Sequence, residues 1–310
     1  MRSGIKVFAP ASVGNMAVGF DTIGFALEKP GDEIIIRLSD KPGLRITKIT
    51  GAKGKLPKDP EKNTAGVAAL RLLDYLGETK LGVEIELHKK MPFGSGLGSS
   101  AASAVAGAMA VNELLRRPLT KRELLPFAMQ GEQLASGGYH ADNVAPSLLG
   151  GMIVVCNHEA LDVYRLPMLS GMYATVIYPH IEILTKDARS ILSDTVPLKK
   201  HIEQSANLAG WLIGMFRSDI DTCTKYLKDV IIEPQRAQLI PHFYAAKEAA
   251  LSAGAMGCSI SGAGPSIFAL SKNSLIAEEV GEAFKKVYTD AKIEHTLYVS
   301  SINHKGAILC

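Results

Sequence analysis

The sequence predicts an α+β chain of about two domains. Three observations carry this expectation. The chain has 310 residues, enough to bury a sizeable core without disulfide staples. Short β-branched runs bounded by Gly or Pro are interspersed with stretches of helical apolar spacing. A hairpin-like unit, Gly257 to Leu270, lies between two of the later helical stretches.

The elements follow in order. Ile5 to Ala9 and Glu33 to Leu38 read as strands. Residues 51–63, rich in Lys, Pro and Gly, read as a surface loop. Thr64 to Tyr75 carries Val67, Leu70 and Leu73 at helical spacing. Val83 to Leu87 alternates apolar and acidic residues, the period of a half-buried strand. A glycine loop, Pro92 to Ser100, opens into an Ala-rich helix that runs to about Leu115. Thr120 and Glu123 form a capping-box pattern for a helix to about Ala135. Gly150 to Val155 is a strand after a turn. Character changes between Leu166 and Met172, which places a domain boundary there: 1–166 and 167–310. The second half reads as a strand (Ala174 to Tyr178) and helices near 199–216, 219–231 and 243–254. The hairpin, a helix over 278–288 and a strand from Thr296 to Ser300 close the chain.

Composition removes several function classes. Net charge is +3, and the basic residues come as doublets (Lys89-Lys90, Arg116-Arg117, Lys199-Lys200, Lys285-Lys286), read as solvated faces. Aromatics are 6% of residues, with one tryptophan, so neither a basic footprint nor a stacking platform for nucleic acid is present. The longest apolar run, Ala104 to Val111, is too short to span a bilayer. Four dispersed cysteines without a CxxC pair, and a start, MRSGIKVFAPAS, that lacks the apolar region of a signal peptide, point to reduced thiols in the cytoplasm.

The strongest motif is Met91-Pro92-Phe93-Gly94-Ser95-Gly96-Leu97-Gly98-Ser99-Ser100-Ala101-Ala102-Ser103. Alternating glycines let backbone N–H groups approach an anion, and the following helix N-terminus adds aligned donors. Ser99 or Ser100 serves as N-cap or offers a hydroxyl to a metal. The pattern is neither GxxxxGK[ST] nor GxGxxG; the plain alternative is a turn feeding a buried helix. Three further segments carry polar groups among glycines. In Gly14-Asn15-Met16-Ala17-Val18-Gly19-Phe20-Asp21, the carboxylate either binds a substrate ammonium or joins Asn15 in Asx-turn chemistry. In Glu132 to Ser147, a late helical glutamate suits magnesium, and His140, Asp142 and Asn143 crowd a turn. Ser261-Gly262-Ala263-Gly264-Pro265 is a hairpin turn or a loop closing over a site. Thr185 to Arg189 and Glu233 to Arg236 place arginines, which fork a carboxylate, in loops. Fourteen of the 29 glycines fall in four windows (9–27, 91–103, 131–151 and 257–270), so the excess is concentrated where a ligand would sit.

Together these motifs resemble the GHMP kinases over essentially the whole chain. The first segment and Gly138-Tyr139-His140-Ala141-Asp142-Asn143-Val144-Ala145-Pro146-Ser147 resemble the homoserine kinase branch in particular. The family's first motif more often reads ANLGPGFD, and Ala141 stands where HPDN versions carry proline; neither departure removes a functional side chain. The resemblance implies an N-terminal domain like ribosomal protein S5 domain 2, a ferredoxin-like C-terminal domain and an active site between them. It implies ATP and Mg2+ as cofactors, and phosphorylation of the L-homoserine hydroxyl in threonine biosynthesis. Position by position it assigns ATP binding to Pro92, Phe93, Gly94, Ser95, Gly96, Leu97, Gly98, Ser99, Ser100, Ala101 and Ala102, with Asn63 and Thr64 near adenine. It assigns magnesium to Ser100 and Glu132. It assigns the substrate site to Asn15, Asp21, His140, Asn143, Thr185, Arg189 and Arg236. In this reading Asn143 orients the attacking hydroxyl and the proton leaves late to the transferred phosphate, because a neutral amide is no base; Asp142 as base is the rival. A kinase of another small alcohol and a non-enzymatic nucleotide-binding regulator are the alternatives. A homodimer is left open.

Overall fold

The computed structural model describes residues 4–310. The first layer is a seven-stranded sheet of β1 (Ile5–Gly14), β2 (Ile23–Leu38), β3 (Leu44–Thr50), β4 (Val83–His88), β5 (Met152–Asn157), β6 (Asp162–Arg165) and β11 (Ile308–Leu309). Its order is β11-β1-β2-β4-β3, with β5 on the start of β2 and β6 beyond β5. All pairings are antiparallel except β3 with β4. β2 is longer than the Glu33–Leu38 strand that the sequence predicts. It begins at Ile23, because residues 24–26 pair with the second half of β1 and residues 23–25 with β5. β3 and β6 escape sequence reading. β6 has only four residues, and β3 carries Lys and Arg on a sheet edge, where charges are favoured and blur the alternation.

Four helices serve this sheet: α1 (Thr64–Tyr75), α2 (Ser99–Leu114), α3 (Leu125–Ser136) and α4 (Val144–Leu149). α2 is buried nearly all round, from Ala101 to Glu113, between β1 and β2 on one side and α1 and α3 on the other. Its small residues permit that depth; a Cβ on Gly107 would lie 2.2 Å from the Ala65 carbonyl oxygen. The capping box forms as the sequence predicts. Thr120 N–H donates to Glu123 Oε2 (2.7 Å) and Glu123 N–H to Thr120 Oγ1 (3.4 Å), ahead of a 3-10 turn that leads into α3.

The second sheet is antiparallel, in the order β10-β7-β9-β8, from β7 (Tyr173–Pro179), β8 (Gly257–Ile260), β9 (Ile267–Ser271) and β10 (His295–Ser301). Between β7 and β8 run α5 (Thr185–Ser190), α6 (Leu198–Arg217), α7 (Ile220–Tyr226), α8 (Glu233–Arg236) and α9 (Phe243–Ser252); α10 (Ser274–Asp290) links β9 to β10. This is the β-α-β-β-α-β order of a ferredoxin-like unit. Two expectations are corrected here. The helix expected over 219–231 stops at Tyr226. The Asp229 carboxylate then accepts the N–H groups of Ile231, Ile232 and Glu233 and starts α8. The segments 185–189 and 233–236, expected as loops, are the short helices α5 and α8. The single tryptophan, Trp211 on α6, is fully buried. Among the described residues no helix is long and apolar enough to cross a membrane. The sheets meet where Leu27 bridges Ile302 and Ser300 Oγ accepts Glu28 N–H (2.8 Å).

Candidate active site

The cleft between the two layers gathers four segments. The first is the loop after β1. Asn15, Met16, Ala17 and Asp21 all have positive φ (68°, 36°, 54° and 56°). Non-glycine residues occupy that region rarely, at about 1–3 kcal/mol each, so the surrounding bonds must over-determine the loop. Asn15 supplies two of them: its Oδ1 accepts Asp21 N–H (3.0 Å) and its Nδ2 donates to the Gly262 carbonyl (2.6 Å). Asn15 therefore ties the first loop to itself at Asp21 and to the hairpin loop at Gly262. The Asp21 carboxylate instead takes Arg189 in a bidentate pair (2.9 and 2.8 Å).

The second segment is the glycine loop, with Gly94, Gly96 and Gly98 at φ 64°, 78° and 63°. Gly96 has no substitute. A Cβ there would lie 2.4 Å from Ser261 O and 2.8 Å from Gly264 O. The hairpin loop 261–266 packs on it, with Ser261 Oγ donating to Gly96 O (2.7 Å) and Ser266 N–H to Ser95 O (3.2 Å). The N-cap of α2 is Gly98 in left-handed conformation, which removes the N-cap alternative for the serines; Ser99 and Ser100 are already helical. Their hydroxyls are thereby freed. Ser100 Oγ donates to Glu132 Oε1 on α3 (2.9 Å), and Ser99 Oγ is buried without a partner.

The third segment follows α3. Asn143 Oδ1 accepts Ser12 Oγ (2.9 Å), and Asp142 Oδ2 accepts Asn15 N–H (3.2 Å). His140 Nδ1 lies 3.6 Å from Asp21 Oδ2. The fourth brings α5 and α8. Arg236 is 2% exposed; its Nε donates to Ala188 O (2.9 Å) and its Nη1 to Gly262 O (3.1 Å).

These segments enclose a cavity of about 310 Å³. It is lined by Asn15, Asp21, Thr64, Phe93, Gly94, Ser95, Gly96, Gly98, Ser99, Ser100, Glu132, His140, Asn143, Thr185, Arg189 and Arg236. Pro92, Leu97, Ala101 and Ala102 are not among the lining residues, and Leu97, Ala101 and Ala102 are fully buried. Asn63 does not reach the cavity. It is buried, accepts Ala65 N–H as the N-cap of α1 (3.1 Å) and donates to Pro57 O (2.9 Å).

One charged wall was missed. Lys89, assigned to a solvated doublet, is 4% exposed in its side chain and ion-pairs with fully buried Asp32. Its Nζ also donates to Ser99 O (2.7 Å) and Ser103 Oγ (2.6 Å), directly under the glycine loop. The signal was present. Lys89 continues the inward period of Val83, Ile85 and Leu87, and Asp32 that of Ile34 and Ile36.

Burial sets the site's acid–base character. It pushes the Asp142 carboxyl up to about 7, with the negative charge of Asp21 adding to the effect. It also raises Glu132 to about 7, against the hydrogen bond from Ser100. Arg236 is lowered to about 10 by burial and by the neighbouring Arg189. Desolvation lowers His140 against the pull of Asp21.

The geometry has relatives. Residues 63–151 match the family described as GHMP kinases N terminal domain, and residues 212–290 match GHMP kinases C terminal. A homoserine kinase of Chlorobium phaeobacteroides (strain BS1) is 43% identical over 312 residues, 97% of each chain. The crystal structure of a homoserine kinase from Cytophaga hutchinsonii superposes with a TM-score of 0.97 at 52% identity, over 100% of this chain and 98% of that one. The chain belongs to the homoserine kinase family of the GHMP kinases. Beyond the homoserine kinases, the L. major mevalonate kinase in complex with R-mevalonate shares the fold alone, at TM-score 0.72 and 16% identity over 96% of each chain. Membership in a kinase family implies ATP as phosphoryl donor, and the glycine loop at the head of α2 is the feature suited to its phosphates.

Proposed function

We propose that the protein transfers the γ-phosphoryl group of ATP to the hydroxyl of L-homoserine, giving O-phospho-L-homoserine and ADP, as a cytoplasmic step towards threonine. The observation that carries the reading is the cavity itself: a phosphate-type glycine loop at one end and the Asp21–Arg189–Arg236 cluster at the other. A carboxylate and two guanidinium groups match the ammonium and carboxylate of an amino-acid alcohol. A mevalonate or a sugar offers no ammonium to Asp21. Residues 1–166 would serve as the ATP-binding part and 167–310 as the C-terminal part.

The residues divide the work. Loop N–H groups and the α2 terminus receive the phosphates. The orphaned Ser99 hydroxyl is a further donor for a phosphate oxygen. Ser100 and Glu132 fit magnesium: a hydroxyl and a carboxylate oxygen 2.9 Å apart are a hard-oxygen pair, and magnesium uses few protein ligands beside phosphates and water. When bound, the ion neutralises charge on the transferring group. Lys89 supports the loop from beneath. Asp21 takes the substrate ammonium, Arg189 and Arg236 its carboxylate, and Asn143 orients the hydroxyl. The hydroxyl oxygen bonds to the γ-phosphorus as the bond to the β,γ-bridging oxygen breaks. The proton passes late to an oxygen of the transferred phosphate, and no side chain is required as base.

Asp142 supports the rival, because a carboxyl near 7 lining the cavity is poised as a base. Asp142→Asn separates the two. The base-free reading expects turnover within tenfold of wild type; abolished turnover with intact folding and both substrate affinities would contradict it. The substrate assignment expects ADP release with L-homoserine and none above background with mevalonate, galactose or shikimate.

A further inference from the structure

Phe20 lies between Gly19 and Asp21 in the first loop, and its ring is the meeting point of two cations. The guanidinium carbon of Arg236, on α8, is 5.1 Å from the ring centroid. That of Arg189, on α5, is 5.4 Å away. Both lie within the roughly 6 Å over which an aromatic face attracts a cation. Arg236 is also anchored by the carbonyls of Ala188 and Gly262. Arg189 is held differently: among the described residues its guanidinium hydrogen bonds go to Asp21.

That difference matters once a zwitterion enters. A substrate whose ammonium takes Asp21 withdraws the Asp21 bonds from Arg189 at the moment when the substrate carboxylate needs that guanidinium in place. The two arginines also repel one another. We infer that Phe20 is a positioning residue whose ring keeps Arg189 beside Arg236 as Asp21 turns to the substrate, and that it thereby sets the preference for ligands carrying a carboxylate. The inference rests on the reading of the cavity as the site of an amino-acid alcohol. It gives a function to an aromatic residue that an apolar side chain of similar bulk would not fulfil, because attraction to a cation comes from the ring's negative face.

The test compares Phe20→Leu and Phe20→Tyr with wild type, using L-homoserine, 4-hydroxybutyrate (carboxylate only) and 3-amino-1-propanol (ammonium only). Phe20→Leu should raise KM for L-homoserine about 3- to 30-fold. It should leave kcat and the KM for ATP within twofold. Binding of 4-hydroxybutyrate, which brings no ammonium to draw Asp21 off Arg189, should weaken by clearly less than that factor, and binding of 3-amino-1-propanol should be unchanged. Phe20→Tyr should stay within twofold of wild type. Phe20→Leu kinetics equal to wild type, an equal rise in KM for ATP, or a Tyr variant as impaired as the Leu variant would each overturn the inference. Should Phe20→Leu fail to fold, Phe20→Met puts the same question. A wild type that binds L-homoserine in a ring-dependent way without phosphorylating it would sink the substrate assignment and leave the ring's role standing. A wild type that phosphorylates L-homoserine with an unaffected Leu variant does the reverse.

Discussion

Arg189 grips Asp21 through two parallel hydrogen bonds, Nη1 to Oδ2 at 2.9 Å and Nη2 to Oδ1 at 2.8 Å. The pair joins the loop after β1 to α5 across the cavity, so each charge is already placed and neutralised before a ligand arrives. A zwitterionic substrate can exchange this pair for two new ones with little change in net charge, whereas a ligand with one charge leaves the other side chain unpaired. The pair thus favours an ammonium and a carboxylate together.

Asp21→Asn separates recognition from stability. The Arg189 side chain is 41% exposed, so the pair itself contributes at most about 1 kcal/mol to folding. The loss of a charged partner for the substrate ammonium is larger, about 3 kcal/mol. The expected outcome is a fall of about 100-fold in kcat/KM for L-homoserine, with KM for ATP within threefold and urea unfolding within about 1 kcal/mol of wild type. Steady-state kinetics and urea titration check both parts.

Lys89→Met tests the buried pair beneath the glycine loop. Removing one partner leaves Asp32 charged and buried, which costs about 3–5 kcal/mol. Urea unfolding should show that loss, and Lys89→Met with Asp32→Asn should recover at least half of it. A single variant as stable as wild type would show that the pair carries no such strain.

Much of this was legible in the sequence, and the exceptions have physical reasons. The glycine loop, Asp21, Glu132 and Asn143 stand in short runs where residue type and spacing act locally. The Thr64–Tyr75 helix and the Thr120–Glu123 box depend on neighbours in sequence, and both were readable. The pairing of Asp21 with Arg189, 168 residues apart, was not, because it is made by two layers meeting. Nor was the end of α7 at Tyr226, since Asp229 captures three N–H groups that a continuous helix would have used. Lys89 was misread for a different reason. A basic doublet reads as surface by composition, and only the strand period of β4 reveals that one of the two lysines points inward.

Asp142 gives the protein a pH signature. Its carboxyl is raised from 3.8 to about 7 by burial, so the folded state holds a proton that the unfolded chain has released. Its contribution to stability is full below about pH 4 and is lost as pH rises to about 7. Three pKa units correspond to as much as about 4 kcal/mol. Asp142→Asn lacks this dependence. Urea unfolding of the ligand-free protein should show the variant gaining on wild type from pH 4 to pH 7, with a constant difference above. A constant difference across that whole window would contradict the assignment.

Glu132→Gln should leave the fold intact while weakening magnesium dependence. The amide keeps the hydrogen bond from Ser100 and sheds a charge that burial disfavours. The magnesium concentration for half-maximal rate is expected to rise about tenfold or more, consistent with removal of an oxygen anion from a hard cation. An unchanged magnesium titration would place the ion elsewhere.

The most direct test of the central claim is product identification by 31P NMR after incubation of the protein with ATP, magnesium and L-homoserine. The account predicts a new phosphomonoester resonance that grows with ADP, matches authentic O-phospho-L-homoserine and is absent when mevalonate, galactose or shikimate replaces L-homoserine. ATP consumed without that resonance, or an equal phosphomonoester yield from another alcohol, would contradict it.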